Sequence, residues 1–554
     1  MIDPNAGPVF DRTTLGDRVF SVRAYLYLLV FGVGAGALAI ELAAARLLDP
    51  WFGNSQIVWA ALISLVLACL ALGAWIGGRV GDRSPRLLPL LAVVMVSGVA
   101  TAVIPVMAQP VLQLAIRDLL ELEAGLLLAA MLAVAILLTF PLVLLGAVAP
   151  WVVRIALSSV NTGGRTAGSL YAVGTVGSIL GTLAPVLWLV PSYGTRRTFL
   201  LIGLWLVLLA LCGTPWVARR QHATGFVGVL MMAALLGFDV LSGSTSIRPG
   251  PVAGSVPSRL LHEEESRYNY IAVREAGGER WLKLNEGNGV HSVWHPDHIL
   301  SHGIWDYFLL APWFSADPPD PATARVLVIG LAAGTVSSLW TDVYGPAPIT
   351  GVELDPAILE VGREWFAMDR PNITAIAADG RQWLSRQDPS EVWDVVLVDA
   401  YRVPYIPFHL TTVEWFELVD DHLAADGVVA VNVGRTETDL SLVEAMVTTM
   451  SAVWPRVFVL EEPVPDGVLG NVLVVGVQEP ASVGVFADNI AGLPEYLSGE
   501  FRAFAAMTVD HATVGRLDPD LKIWTDDQAP IERIVHRIVW DWLVSVRESV
   551  HAPA

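Results

Sequence analysis

Apolar residues are distributed unevenly along this chain. Before residue 245 they form long runs, and after residue 260 they form short runs of strand length that alternate with helical segments. Runs of about 20 apolar residues have the length that crosses a bilayer. Short apolar runs that alternate with helices are typical of a parallel sheet. The first half therefore predicts a helical membrane domain, at 23–45, 57–78, 87–112, 124–156, 167–190, 198–213 and 224–242.

The fold class we predict from the pattern is an α-helical multi-span membrane domain followed by an α/β Rossmann-like domain with a small N-terminal β-sheet. The parts expected in order are a polar tail (1–22), a transmembrane domain of about seven helices (23–243), a linker rich in Gly, Ser and Pro (244–260), a small β-sheet subdomain (261–322) and the Rossmann-like domain (323–554).

Within the membrane domain, prolines and small residues modify the simple helix count. The run 124–156 contains Pro141 and Pro150, so it is either one bent helix or a span followed by a surface turn. Two glycine-rich segments, 32–36 and 174–181, favour close helix contact rather than a transport path.

Glu41 and Arg46 are charges near the end of the first predicted span. A charge at mid-bilayer costs several kcal/mol unless it is paired, by the order of magnitude known for membrane helices. We expect them either to pair with each other or to lie at the interface.

In the second half, four apolar runs each end on glycine or an acid. The ends are Gly330 with Gly334 in the turn that follows it, Glu353, Asp379-Gly380 and Asp399. In a parallel sheet, ligands bind outside the carboxyl ends of the strands. A glycine turn after the first strand and an acid about 20 residues later predict a nucleoside, with Glu353 on the ribose hydroxyls. Asp379 would then hold the adenine edge and Asp399 would face the reacting centre.

The amino-acid composition limits the kinds of molecule that this protein is expected to bind. The hydrophobic content of 54% is above that of ordinary soluble proteins. The net charge of −20 argues against binding nucleic acid, which requires a basic surface. Both cysteines, Cys69 and Cys212, lie in predicted spans, so a cysteine-based zinc site is not expected.

Three motifs in the second half, Gly351-Val-Glu-Leu-Asp-Pro356, Asp379-Gly-Arg381 and Val398-Asp-Ala-Tyr401, resemble the spermidine synthases. The first half, with Trp51-Phe-Gly-Asn-Ser55, looks like the membrane-embedded, transporter-fused branch of that family. The resemblance implies that the α/β domain is of the methyltransferase type. It also implies an aminopropyltransferase that uses decarboxylated S-adenosylmethionine as co-substrate, without a metal, and a small-molecule amine such as putrescine as acceptor. A homodimer is the assembly we consider for it.

The resemblance also implies roles for single residues. Asp399 matches the first acid of the family's Asp-Ser-x-Asp pattern and is our candidate general base, although it could simply cap the following loop. His291 stands where the family has a glutamine that contacts the donor, and His302 where it has a histidine beside the acceptor amine.

Two positions depart from the family pattern. Ala333 replaces an acid of the glycine loop, and Arg402 replaces the second acid of the loop after the fourth strand. Other acids could take over the attraction for a cation, or the transferred group or acceptor could differ. The acids we consider are Glu286, Asp297 and Asp306.

The loop 401–412 contains aromatic residues and two prolines and could form a wall of the acceptor site. Tyr401 lies in the family motif, and Tyr405 would offer a cation–π contact to an amine. In the alternative, Ile406 and Phe408 only bury the loop against the sheet.

Four histidines fall between residues 291 and 302. Pro296 interrupts any single helix, so only His298 and His302 can share a helix face, and no nearby acid completes a known metal-ligand pattern. Contact with substrate is the interpretation we favour over metal binding.

Orientation in the membrane is ambiguous. Basic residues favour a cytoplasmic N-terminus because they concentrate before the first span and after the even-numbered ones. Seven spans would then place the catalytic half outside the cell, where an adenosyl sulfonium donor is scarce. We favour a cytoplasmic catalytic half. The alternatives to aminopropyl transfer are another transferase, such as an S-adenosylmethionine-dependent methyltransferase, and a non-catalytic polyamine-binding membrane protein.

Overall fold

A computed structural model describes most of the chain and divides it into two units, Met1–Gly250 and Pro251–Ala554. The described residues are 12–52, 56–119, 125–157, 162–216, 257–285, 289–401, 406–463, 469–479, 481–518, 520–531, 534, 535, 537 and 538.

The described part of the first unit is helical. Its helices are α1 (Arg12–Phe52), α2 (Gln56–Arg83), α3 (Leu87–Leu119), α4 (Gly125–Gly146), α5 (Val148–Ala156), α6 (Gly163–Ala184) and α7 (Val190–Cys212), and a π-helical turn (Pro185–Leu189) joins α6 to α7. Among the described residues, five stretches are long and apolar enough to cross a membrane: Val22–Leu48, Val58–Arg83, Leu87–Ala108, Ala130–Ala156 and Gly163–Cys212.

The last of these stretches contains two helices that run in opposite directions. Helices α1 and α6 run parallel to each other, since a side chain on Gly177 would meet Phe31 and one on Gly181 would meet Ala35. Helices α1 and α7 run antiparallel to each other. There, Tyr25 is hydrogen-bonded to Leu209, and a side chain on Gly36 would meet Leu206.

The reversal occurs at Gly194, which has φ 77° inside the continuous run. The spans predicted at 167–190 and 198–213 therefore correspond to α6 and α7. The seventh predicted span, 224–242, lies outside the described residues, as does the predicted linker up to residue 256.

Helix α1 begins at Arg12 rather than at residue 23, where the first span was expected to start. Extending an existing helix adds one hydrogen bond for each residue that is fixed, so the helix continues into the polar segment before it. The run 124–156 is divided into α4 and α5 at Ala147.

The second unit opens with a four-stranded antiparallel sheet. Its strands, in spatial as well as chain order, are β1 (Arg259–Glu265), β2 (Tyr270–Ala276), β3 (Glu279–Leu284) and β4 (Ser292–Trp294). Gly277 and Gly278 form the turn between β2 and β3 with φ of 62° and 91°, a backbone that glycine adopts readily. Strands β2 and β3 thus form an antiparallel hairpin within the small β-sheet subdomain predicted at 261–322.

An eight-stranded sheet forms the centre of the second unit, in the order β12-β10-β11-β9-β8-β5-β6-β7. Strands β5 to β9 are parallel, and β10 to β12 pair antiparallel at one side. The bounds are β5 (Val326–Ile329), β6 (Ile349–Glu353), β7 (Ile373–Ala377), β8 (Trp393–Val398), β9 (Leu423–Arg435), β10 (Arg456–Glu461), β11 (Gly470–Val477) and β12 (Ala512–Val514).

Helices connect these strands and cover the sheet. They are α8 (Ile304–Phe308), α9 (Thr335–Tyr344), α10 (Pro356–Trp365), α11 (Gly380–Leu384), α12 (Val413–Asp420), α13 (Ser441–Met450), α14 (Val483–Ala491) and α15 (Gly499–Thr508). All four residues of β5 are buried, as expected for a central parallel strand covered on both faces.

The chain order reverses between β5 and β8. From β5 the sheet grows through β6 to β7, and on the opposite side of β5 it continues with β8 and β9. Such a switch point opens a crevice at the carboxyl ends of the strands. The Rossmann-like fold expected from the alternating pattern is therefore present, with the candidate residues on the functional edge.

Close contact between α1 and α6 depends on glycine, which leads to a stability prediction. Gly177→Ala would force a methyl group onto the carbonyl oxygen of Phe31, whereas a methyl group on Gly168 in the same helix meets nothing within 4 Å. We expect Gly177→Ala to lose about 1–3 kcal/mol of stability, because overpacking displaces the helices. Gly168→Ala should be neutral or gain about 0.5–1 kcal/mol. Thermal unfolding midpoints in detergent, compared for the two variants, measure the difference, and equal midpoints would contradict the prediction.

Candidate active site

The four strand ends predicted to carry chemistry meet at one edge of the large sheet. Strands β6 and β8 are the two neighbours of β5, and β7 pairs with β6. Neighbouring strands lie about 4.8 Å apart, so the ends of β6 and β8 are separated by about 10 Å across β5. Glu353 and Asp399 end these two flanking strands. The strand ends that carry the two carboxylates therefore lie on either side of β5, with one strand between them.

The turn after β5 requires glycine for both its conformation and its space. Gly330 has φ 86°, and a Cβ there would lie 2.5 Å from the Asp399 carbonyl oxygen. Gly334, with φ 89°, precedes α9, and a Cβ there would lie 2.5 Å from Met368. The backbone of the turn can thus approach the end of β8 and any ligand at this edge.

Glu353 is held by the turn that follows β5. Its Oε2 accepts a hydrogen bond from the Ala332 amide at 2.9 Å, and its Oε1 accepts one from the Asp355 amide at 3.0 Å. Burial raises the pKa of Glu353 above its usual value, against the effect of these amides. Each carboxylate oxygen has a second acceptor position, which suits a pair of hydroxyl donors.

Asp379 and Gly380 lie at the start of α11, after β7. The Oδ1 of Asp379 accepts a hydrogen bond from the Gln382 amide at 2.9 Å and so caps the helix. Its Oδ2 is 3.2 Å from Nε2 of His409. A Cβ on Gly380 would lie 2.6 Å from Cγ2 of Ile329, so this helix start lies against the end of β5.

Asp399 is the titratable group nearest to the switch point. Its backbone amide donates to the Ile329 carbonyl at 2.8 Å, and Asn432 Nδ2 donates to its Oδ1 at 2.9 Å. Burial raises the pKa of Asp399 to about 6, although hydrogen bonds from Asn432 and Trp305 oppose the rise. A carboxylate with this pKa is mostly ionised at neutral pH and is a stronger base than an exposed aspartate.

Asn432 has an unused acceptor beside this carboxylate. The side chain is only 6% exposed, and its Oδ1 has no hydrogen-bond partner within the described ranges. A buried amide oxygen without a partner is unfavourable, so it can accept a hydrogen bond from a bound donor group.

Tyr401 connects the loop after β8 to β9. Its hydroxyl oxygen accepts a hydrogen bond from the Gly434 amide, and burial raises the pKa of the phenol. The phenol is therefore neutral and holds the backbone in place. Tyr405 and Arg402, both named from the sequence, lie outside the described residues.

The small sheet is bonded to the turn after β5. The Ala333 amide donates to Ser292 Oγ at 3.0 Å, and the Val293 amide donates to Thr335 Oγ1 at 2.9 Å. His291 immediately precedes these contacts. Burial, together with the nearby Lys283, lowers the pKa of His291 to about 4, so its imidazole is neutral at neutral pH.

A second connection passes through Asp355, which is fully buried. Its Oδ2 accepts hydrogen bonds from Ser266 Oγ at 2.5 Å and from Asn269 Nδ2 at 3.0 Å, and its Oδ1 accepts one from the Ala357 amide. The turn between β1 and β2 is thereby fixed to the start of α10, immediately after Glu353.

The histidine segment is not helical, so no pair of these histidines shares a helix face. The rings of His295 and His298 stack at 3.9 Å, and the rings of His298 and His302 lie 6.2 Å apart. In the part of the chain that the structure describes, no group of three potential ligands could hold a metal ion.

Asp297 and Asp306, two of the acids considered as cation ligands, differ in their exposure to solvent. Asp297 is exposed. Asp306 is 1% exposed and accepts hydrogen bonds from the Ser301 amide and hydroxyl and from the His302 amide, all at 2.7–2.8 Å. Asp306 therefore holds His302 in its left-handed conformation, with φ 56°. Glu286 lies outside the described residues.

Several residues at these strand ends escaped the sequence patterns, namely Trp305, Asp355, His409 and Asn432. Asn432 carried a local signal as a polar residue inside the apolar run of β9, and Asp355 lies two residues after Glu353 in the quoted motif. His409 lies in the loop 401–412, whereas Trp305 comes from an element distant in sequence, and no spacing rule brings it to the edge.

No protein-family model matches the chain. It is 34% identical over 211 residues to a probable polyamine aminopropyl transferase of Bifidobacterium longum, a match that covers 38% of this chain and 45% of that protein. It is 25% identical over 447 residues to polyamine aminopropyltransferase 1 of Streptomyces coelicolor, covering 77% of this chain and 78% of that protein. Among solved structures, a probable spermidine synthase from Corynebacterium glutamicum is 22% identical, with a TM-score of 0.37, and the match covers 49% of this chain and 100% of that chain.

Proposed function

We propose that this chain, which is similar to polyamine aminopropyltransferases, is a transferase that moves an aminopropyl group from decarboxylated S-adenosylmethionine to an amine such as putrescine. The motifs resemble those of spermidine synthases, and curated relatives named polyamine aminopropyltransferases confirm this resemblance. The chain spans less than half of the Bifidobacterium longum protein, so its activity as a whole is our inference. The observation that carries it is the buried Asp399 beside the glycine turn and Glu353.

Donor binding is assigned to the ends of β5, β6 and β7. Glu353 accepts hydrogen bonds from the ribose hydroxyls, Asp379 with Gly380 holds the adenine edge, and the turn containing Gly330 and Gly334 lets the backbone approach the nucleoside. His291 contacts the donor as a neutral imidazole. The contacts that hold the carboxylates are already made by backbone amides, which orient these groups in advance.

The reaction is a displacement at the carbon attached to the sulfonium. The amine nitrogen forms a bond to that carbon, and the carbon–sulfur bond breaks with its electron pair moving to sulfur, which leaves methylthioadenosine. A primary amine with a pKa near 10.4 is almost wholly protonated at neutral pH, so Asp399 accepts its proton. Burial favours this step, since it raises the pKa of Asp399 to about 6.

The acceptor is assigned to the side of Asp399 that faces the loop after β8 and the histidine segment. His302, Tyr401, Tyr405 and Asp297 are the residues we propose for it. Fewer acids are available here than the family pattern suggests, since Asp306 is occupied by its own hydrogen bonds.

A methyltransferase is the second candidate because Ala333 is fully buried and has no carboxylate to hold an aminopropyl ammonium. A methyl group needs no such partner. The third candidate, a non-catalytic polyamine-binding protein, would bind amine without turnover.

One assay separates these candidates. Purified full-length protein receives putrescine with either decarboxylated or ordinary S-adenosylmethionine, and the products are identified by mass spectrometry. We expect spermidine and methylthioadenosine only with the decarboxylated donor. Asp399→Asn should lower kcat by about 10²–10⁴-fold, the usual contribution of a general base.

The controls distinguish a lost base from a lost fold. Asp394→Asn changes an acid on the same strand whose side chain bonds the Arg325 amide away from the carboxyl end, and it should retain turnover. S-adenosylhomocysteine as product would establish the methyltransferase instead. Full turnover by Asp399→Asn would remove Asp399 as the base.

The pH dependence of kcat/KM tests the role of Asn432. Asp399 must be ionised to accept a proton, so activity should fall as the pH falls through about 6. The Asn432 hydrogen bond lowers the pKa of Asp399, and Asn432→Ala should therefore move this acid limb to higher pH. A limb at unchanged pH would show that Asn432 does not act on Asp399.

We place the catalytic unit on the cytoplasmic side of a membrane. Because α6 and α7 run in opposite directions, the five described apolar stretches would make six crossings and bring Cys212 to the side of α1's start. The placement therefore requires that the seventh predicted span, 224–242, does not cross the membrane. The basic residues Arg83 and Arg154 end α2 and α5 on that side.

Labelling in intact cells tests this placement. In a background with Cys69→Ala and Cys212→Ser, Glu500→Cys introduces an exposed thiol in the second unit. We expect an impermeant maleimide to label it only after lysis. Tyr193→Cys, beside the reversal at Gly194, is the control and should be labelled in intact cells. Labelling of Glu500→Cys in intact cells would contradict the placement.

A further inference from the structure

Glu41 is a charged residue in the interior of the helical bundle. Its side chain is 8% exposed. Ala37, Ala44 and Leu48, which lie four residues before it and three and seven after it, share its face of α1 and are buried in the bundle core. The face of α1 that carries Glu41 therefore packs in the interior of the bundle.

This carboxyl group has no partner within the described part of the chain. No hydrogen bond or ion pair to Glu41 is formed there. Arg46, the nearest charge along α1, lies five residues on and points about 140° away around the helix. The expected pairing of Glu41 with Arg46 is therefore absent.

The register of α1 against α6 places Glu41 beside a helix irregularity. Phe31 faces Gly177 and Ala35 faces Gly181, a constant offset along two parallel helices. Extending the offset brings Glu41 to the level of the π-helical turn Pro185–Leu189, which contacts α1.

Pro185 begins this turn and has no amide hydrogen to donate. One carbonyl in the preceding turn of α6 therefore lacks its helical partner. Such turns inside helices occur frequently at functional sites. Irregular backbone at membrane depth is tolerated where it lines a cavity or faces polar groups.

We propose that Glu41 and the π-helical turn form a binding site for a monovalent cation, and that the cation is the ammonium group of an amine. An isolated carboxylate inside a bilayer is strongly unfavourable, whereas a bound cation neutralises it. An alkali-metal ion offers the same charge. The argument for a cation site uses only the helical bundle. The choice of an amine as the cation is the one part that rests on the proposed function.

A carboxyl-directed reagent tests the site in the full chain. Dicyclohexylcarbodiimide modifies carboxyl groups in apolar surroundings, and mass spectrometry quantifies the modification of Glu41. The protein is placed in phosphatidylcholine nanodiscs with choline chloride, sodium chloride, potassium chloride or putrescine at equal ionic strength. We expect putrescine to lower the modification at least fivefold relative to choline. Asp399→Asn should show the same protection, so a failed transferase assay leaves this result interpretable.

The outcomes are distinct. Protection by sodium or potassium but not by putrescine keeps the cation site and overturns the amine. Equal modification in all four salts overturns the site, as does absence of modification in choline, because the carboxyl would then already be engaged.

Thermal unfolding supplies a second measurement. Glu41→Gln keeps the shape of the side chain and removes its charge, so it should unfold at or above the midpoint of the unliganded protein. Putrescine should raise the midpoint of the parent chain and of Asp399→Asn, but not that of Glu41→Gln. A rise of equal size in Glu41→Gln would overturn the proposal.

Discussion

The close approach of β5 and β8 at their carboxyl ends is the constraint on which the second unit depends. Gly330 turns away from β5 with its backbone against the Asp399 carbonyl, and the Asp399 amide is bonded to Ile329. Any side chain at residue 330 would separate the two strand ends. Because the chain reverses its order here, the approach also brings Glu353 on one side of β5 and Asp399 on the other to a common edge.

Buried carboxylates at this edge are distinguished by the groups that surround them. Glu353 and Asp306 each accept two or more hydrogen bonds from nearby amides or hydroxyls, which fixes their positions. Among the described residues, Asp399 accepts side-chain hydrogen bonds from Asn432 and Trp305, and burial outweighs their effect on its pKa. It is therefore suited to accept a proton, whereas the other two are suited to orient ligands and loops.

Each unit contains an acid that its surroundings leave incompletely satisfied. In the second unit, Asp399 lies next to the unpaired amide oxygen of Asn432. In the first unit, Glu41 lies in a bundle whose helices are brought together by glycine, so that little space separates its neighbours. We propose a cationic ligand for each of these acids, which agrees in sign with the net charge of −20.

The sequence determined the local features of this protein. Apolar runs near membrane length, short buried strands, the Gly277-Gly278 turn and the acids at strand ends all follow from hydrophobic period and turn chemistry, which act over a few residues. The parallel strands β5, β6, β7 and β8 occur where the four apolar runs predicted them. The resemblance of the motifs then indicated the chemistry that this edge would serve.

Tertiary structure decided what depends on distant partners. The antiparallel course of α6 and α7 rests on contacts with α1 more than 140 residues away in sequence. The hydrogen bonds to the Asp399 side chain come from Trp305, which precedes it in the sequence, and from Asn432, which follows it. The backbone of the histidine segment at Ser301 and His302 is held by hydrogen bonds to Asp306, with His302 in the left-handed region. Hydrogen bonds and burial between remote segments have no period in the sequence, so only the folded chain shows which carboxylates are held and which remain available.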